Sequence, residues 1–163
     1  MAKERIRVAD EVWVATALLH KQHPDRDDFT VSEISRRAAA EANGAGPLRP
    51  GFVVHASQHC VASKAPNPGR YRMLIETERG RRRLFRPGDP YHPDRRGGKT
   101  VPRTEELPWG YRGLVEWYNS DYVGTATIPI PVDPILSLLD VGKSLRSTEA
   151  ADTLVRRLRE SSR

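Results

Sequence analysis

Internal disulfides and four-cysteine zinc sites lie beyond the reach of this chain, because its 163 residues include one cysteine, Cys60. Aromatic residues are few at 7% and hydrophobic residues make up 37%, while the length of 163 residues is enough for one modest domain with an appendage and a squeeze for two full domains. No apolar run approaches the roughly 20 residues of a membrane span. The opening Met-Ala-Lys-Glu-Arg has no apolar stretch behind it, so the expectation is a cytoplasmic protein with no membrane partner.

Recognisable reaction centres are missing too. There is no Gly-x-Ser-x-Gly, and Arg96-Gly97-Gly98-Lys99-Thr100 lacks phosphate-loop spacing and joins no strand to a helix. The carboxylate pairs Asp27-Asp28 and Glu105-Glu106 are sequence neighbours whose side chains diverge, a poor basis for acid/base work. His55 and His59, four apart, share a helix face, but Cys60 points about 100° away from His59 and no second ligand pair exists. The sequence therefore predicts no catalysis, no cofactor and no metal.

What the chain has is positive charge in one place. Between Lys64 and Arg103 stand twelve Lys or Arg against four acids, a local charge of +8 within a formal total of +6, which leaves −2 for the remainder. A localised excess of this kind is an electrostatic footprint for a polyanion.

Periodicity organises the rest. Val8, Val12, Ala15 and Leu19 predict an amphipathic helix over 8 to 22, ended by His23-Pro24. Thr30 and Glu33 form a capping box, with Phe29 and Ile34 as a hydrophobic staple, so a second helix runs from 31 to 42 and stops at Asn43-Gly44. Pro50 opens a third, with Phe52, Val53, Ala56, Cys60 and Val61 inward and Arg49, His55, Gln58 and His59 nearer the outside. Beyond the Pro66-Asn67-Pro68-Gly69 break, Arg70 to Thr77 and Arg81 to Arg86 read as a hairpin closed by Glu78-Arg79-Gly80. In its strands Tyr71, Met73 and Ile75 share one face, and Arg82 and Arg86 lie opposite Arg81 and Arg83. Pro87 to Pro108 lacks periodicity and reads as an arm, extended over the surface or partly mobile. Trp109 to Tyr118 reads as a fourth helix returning its aromatics to the domain.

Three helices followed by a basic hairpin is the order of a winged helix-turn-helix. The expected fold class is thus α+β: a winged-helix domain over 1–122, a linker over 123–133 and an amphipathic partner-binding tail over 134–163. In such a fold the third helix enters the major groove of duplex DNA and the wing lies on the backbone. Arg49, His55, Ser57, Gln58 and His59 are the candidates for base edges, because Gln matches adenine and Arg matches guanine bidentately. Lys64, Arg70, Arg72, Arg79, Arg81, Arg82, Arg83 and Arg86 are the candidates for phosphates. Six such contacts would make log K fall against log salt with a slope of about −5. A homodimer is expected, since one helix-turn-helix reads few base pairs and pairing half-sites extends the readout.

Two resemblances add to this reading. His59-Cys60-Val61-Ala62, Asn67-Pro68-Gly69-Arg70-Tyr71-Arg72-Met73-Leu74, Arg83-Leu84-Phe85-Arg86-Pro87-Gly88-Asp89, Gly98-Lys99-Thr100 with Pro102, and Trp117-Tyr118 look like a family of bacterial winged-helix proteins of uncharacterised activity. In the tail, Asp133-Pro134-Ile135-Leu136-Ser137-Leu138, Val141-Gly142-Lys143-Ser144-Leu145, Ala151-Asp152 and Val155-Arg156-Arg157-Leu158-Arg159-Glu160 resemble VapB-type antitoxins, whose partners are PIN-domain ribonuclease toxins. Such antitoxins carry a tryptophan where this chain has Arg146.

The resemblance implies that Ile135, Leu136, Leu138, Val141, Leu145, Leu154, Val155 and Leu158 pack on a toxin, while Arg156, Arg157 or Arg159 reach its acidic metal site. The expectation is a DNA-binding antitoxin that represses its own operon. Two alternatives stand beside it: a nucleic-acid-binding protein of phage or mobile-element type without a toxin, and a protein-interaction adaptor built on the same fold.

Overall fold

In a computed structural model the chain divides into two units, Met1–Ala126 and Thr127–Arg163. The structure describes residues 6–42 and 47–124, all within the first unit. The linker and tail assignments, and the Asn43-Gly44 helix stop, lie outside the described residues.

The first unit is α+β. Helix α1 spans Val8–Gln22, the range its apolar spacing predicts, and buries Val12, Trp13, Ala15 and Leu19. Strand β1, Phe29–Thr30, leads directly into α2, Val31–Glu41. The predicted capping box is formed: the Glu33 N–H donates to Thr30 Oγ1 at 3.1 Å, and the Thr30 N–H to the Glu33 carboxylate at 2.8 Å. Arg26 grips the same carboxylate at 2.8 Å, and these partners pull the Glu33 pKa down to about 2.

Helix α3 begins as an α-turn at Phe52–Val54 and continues as a π-helical turn at His55–His59. Strands β2, Leu74–Glu76, and β3, Arg81–Leu84, pair antiparallel, with Ile75 opposite Arg83. Gly80 closes their turn at φ 79°, a left-handed conformation that favours glycine. β1 pairs with the free edge of β3, Phe29 opposite Arg82, giving a three-stranded sheet of order β1-β3-β2. Helix α4, Gly113–Trp117, runs on as a π-helical turn at Tyr118–Tyr122.

Trp13, Phe29, Ile34, Phe52, Leu74, Leu84 and Leu107 form one fully buried core where the three leading helices meet the sheet. Tyr118 closes it, edge-on to Trp13 at 5.7 Å, and Tyr122 donates its hydroxyl to the Leu84 carbonyl at 3.0 Å. The return of these aromatics is as expected; Trp109, read with them, stays 84% exposed.

The structure adds to the sequence reading at two points and revises it at two. β1 was not anticipated, because two residues carry no period and become a strand only by pairing with β3. Val53, expected inside, is 51% exposed. Met73, Leu74 and Ile75 are all buried, so β2 is covered on both faces. Residues 87–108 are not a loose arm. Arg95 within the 3₁₀ turn Pro93–Arg95 is fully buried, and Lys99 bridges Asp10 at 2.8 Å and Glu106 at 2.5 Å. A Cβ on Gly98 would stand 1.6 Å from the Arg70 carbonyl oxygen, so this glycine permits backbone-to-backbone packing.

Candidate nucleic-acid interface

A helix leaves its last four carbonyls without intrahelical partners. In α3 those belong to Ala56, Ser57, Gln58 and His59, and two guanidiniums meet all four. Arg82, from β3, donates to Ala56 O and Ser57 O at 3.2 Å each. Arg95 donates to Gln58 O at 3.1 Å and His59 O at 2.8 Å, and further to the carbonyls of Lys64, Ala65 and Tyr71. Positive charge at a helix C-terminus also complements the helix dipole. The end of α3 is thereby fixed to the hairpin on one side and to the 87–108 segment on the other.

This fixation leaves the outer face of α3 uncovered. Val53 and Val54 are 51% and 46% exposed, Gln58 is exposed, and His55, Ser57 and His59 are half-buried. The His55 and His59 rings lie 4.8 Å apart, with His55 Nδ1 on the Gly51 carbonyl at 2.9 Å. Burial first, and then His55 and Arg95, push the His59 pKa down. Among the described residues no third metal-ligating side chain joins this pair. Cys60 behind them is fully buried, and burial raises its thiol pKa to about 12.

No family model, curated protein or solved structure matches this chain.

The basic residues divide sharply in their surroundings. Arg82 is buried, with Glu76 at 2.9 Å besides the α3 carbonyls. Strand alternation puts it on the face of Leu84, which points to the core. Arg83 holds Asp89 through two bonds of 2.7 Å, and Arg81 holds Asp28 at 2.7 Å. Lys64 faces Glu76 at 3.5 Å. Arg49 turns to the start of α1, bonding Glu11 at 3.1 Å and the Ile6 carbonyl, and so leaves the α3 outer face.

Arg72 stacks over Tyr91 at 4.3 Å, and Arg86 over Tyr122 at 4.4 Å. Arg70 and Arg79 are exposed, and no ion pair holds either of them among the described residues. Arg79 sits in the hairpin turn. The thirteen nominated residues thus separate into an exposed set centred on Gln58, Arg70 and Arg79, and a set that holds the fold.

Strand alternation was the available signal for Arg82, since it shares a face with Leu84. Nothing in the aperiodic stretch around Arg95 signalled its place. The exposed Val53 and Val54 were likewise missed, since both count as core residues by type.

Proposed function

We propose that this chain is a winged-helix protein that binds duplex DNA, reading base edges with the outer face of α3 and gripping the backbone with its hairpin. The reading rests above all on one observation: α3 lies with its outer face bare beside a basic hairpin, in the element order helix, strand, helix, helix, hairpin with sheet order β1-β3-β2. Gln58 supplies donor and acceptor for adenine, Val53 and Val54 meet thymine methyl groups, and Arg70 and Arg79 take phosphates. Arg81, Arg82 and Arg83 serve by holding the hairpin in place, so replacing them tests folding and not phosphate contact.

Duplexes selected from a random pool, titrated over a range of salt, test this reading. Gln58→Ala is expected to lose about 1–3 kcal/mol of discrimination at one base position. Arg70→Ala with Arg79→Ala is expected to make the log K against log salt slope shallower by roughly 2. A pool that yields no preferred sequence, with an unchanged slope in the double variant, would sink the DNA reading. That result would favour a protein-binding adaptor, which the two exposed valines also suit.

The regulatory part of the proposal is a homodimeric autorepressor whose tail, residues 134–163, neutralises a PIN-domain ribonuclease. It draws on the tail's resemblance to VapB-type antitoxins and on its two apolar groups, Ile135 to Leu139 and Leu154 to Leu158. Pull-down of such a nuclease, encoded beside this chain, is expected with the full chain and lost with a chain ending at residue 132. Equal retention by both forms would remove the tail from the mechanism.

A further inference from the structure

Trp109 is the most exposed of the large apolar side chains among the described residues, at 84%. It stands in the Trp109–Tyr111 turn before α4 and borders two hollows at once. The first, of about 610 Å³, is walled by Val14 and Ala15 of α1, Ala38 of α2 and Ala42 at its C-cap, Leu48 and Pro108. Alanines create it, because methyl groups stand where larger side chains would fill the space between α1 and α2. The second, of about 770 Å³, is shallower and lies along α4 at Val115 and Asn119.

Charges around the first hollow satisfy one another. Arg49 holds Glu11 at 3.1 Å, Arg37 holds Glu41 at 2.6 Å, and Tyr111 donates its hydroxyl to Glu41 at 2.5 Å. Across both hollows Glu11, Glu41 and Glu116 stand against Arg49 and Arg112. This face therefore lacks the positive excess that repels copies of a +6 chain elsewhere.

We propose that this face is a two-fold interface between two copies of the chain, with Trp109 of each copy entering the apolar hollow of the other. In an isologous contact one patch faces itself, so an exposed knob beside a hole is self-complementary. Each indole buries roughly 150–250 Å². Two indoles with the walls they cover reach about 600–1,000 Å², and the rim along α4 extends this toward the roughly 1,200–2,000 Å² of a stable interface. The proposal supplies the surface for the dimer of the DNA-binding reading, which it needs only for its consequence: two α3 helices held at fixed separation for paired half-sites.

Sedimentation of the full chain without DNA tests it, so that the outcome is independent of DNA binding. The wild-type chain is expected to be dimeric at micromolar concentration, and Trp109→Ala to weaken association by roughly 100-fold. At a concentration where both proteins are dissociated, the unfolding midpoint is expected to be the same in Trp109→Ala as in the wild type, since the side chain is 84% exposed in the single chain. Ala42→Phe, which fills the hollow from the exposed end of α2, is expected to weaken association equally with Trp109 in place. Val53→Ala, on the α3 outer face, leaves it intact. A monomeric wild type overturns the proposal, as does a dimer indifferent to Trp109→Ala, or a monomer whose hollow instead takes up anilinonaphthalene sulfonate.

Discussion

Arg95→Met is expected to cost roughly 3–5 kcal/mol of unfolding free energy, among the largest effects of any single change in this chain. The reason is the number of groups that depend on one side chain. Arg95 is fully buried, and its guanidinium donates to the carbonyls of Gln58, His59, Lys64, Ala65 and Tyr71. Methionine preserves much of the apolar stem and removes every donor, leaving the half-buried His59, Lys64 and Tyr71 carbonyls without it, while the Gln58 carbonyl keeps the Val61 N–H at 3.1 Å. Arg95→Lys is expected to recover only part of the loss, since an ammonium offers three donors from one point where the guanidinium offers five in a planar fork. Urea midpoints of the three proteins measure this, and amide exchange at Cys60 and Val61 reports whether the end of α3 frays. A loss below about 1 kcal/mol in Arg95→Met would contradict the capping role.

Stability is expected to fall by about 3 kcal/mol as pH drops from 6.5 to about 4, through His20. His20 is 5% exposed, and its Nε2 accepts the Leu84 N–H at 3.4 Å, so the ring must be neutral at that nitrogen. Burial chiefly, then the Arg86 and Arg83 guanidiniums, lower its pKa from 6.5 to about 4, against weaker raising by the Arg26 backbone and Asp28. A depressed folded-state pKa means that the unfolded chain takes up the proton first. The stabilisation is therefore complete above 6.5 and lost as pH falls toward the folded value.

His59 acts in the same direction, its pKa also lowered by burial. Carboxylates act lower: Glu33, drawn down from 4.5 to about 2, gives up its contribution only below its unfolded value. His20→Gln is expected to flatten the upper part of the profile while leaving the acid limb. Urea midpoints across this range, with ring-proton titration of His20 by NMR, check it. A wild-type profile flat between pH 6.5 and 4.5 would refute the assignment.

Much of the local structure was legible because its causes are local. The Val8–Gln22 helix follows from side chains spaced at 3.6 residues, and the start of α2 from the reciprocal bonds of Thr30 and Glu33. The hairpin follows from a glycine able to take φ 79° between two short strand segments, Leu74–Glu76 and Arg81–Leu84. The π-helical turns at His55–His59 and Tyr118–Tyr122 were not legible, since residue type does not distinguish them from α-helix.

The candidate interface was legible as a region and misjudged in detail. Arginine count located the charge, but a guanidinium has the same formal charge whether it meets water, a carboxylate or the end of a helix. Arg79 faces solvent in the hairpin turn, Arg83 holds Asp89, and Arg82 caps α3. Only the path of the chain around each one separates these fates.

The localised positive charge with which the sequence stands out is thus determined by the sequence alone, along with the helices, the capping box and the hairpin that carries much of it. Which of those charges remain available to a partner was decided by tertiary structure. A buried backbone carbonyl needs a donor as much as a phosphate does, and folding brought the carbonyls of α3 to Arg82 and Arg95 before any external anion competes for them.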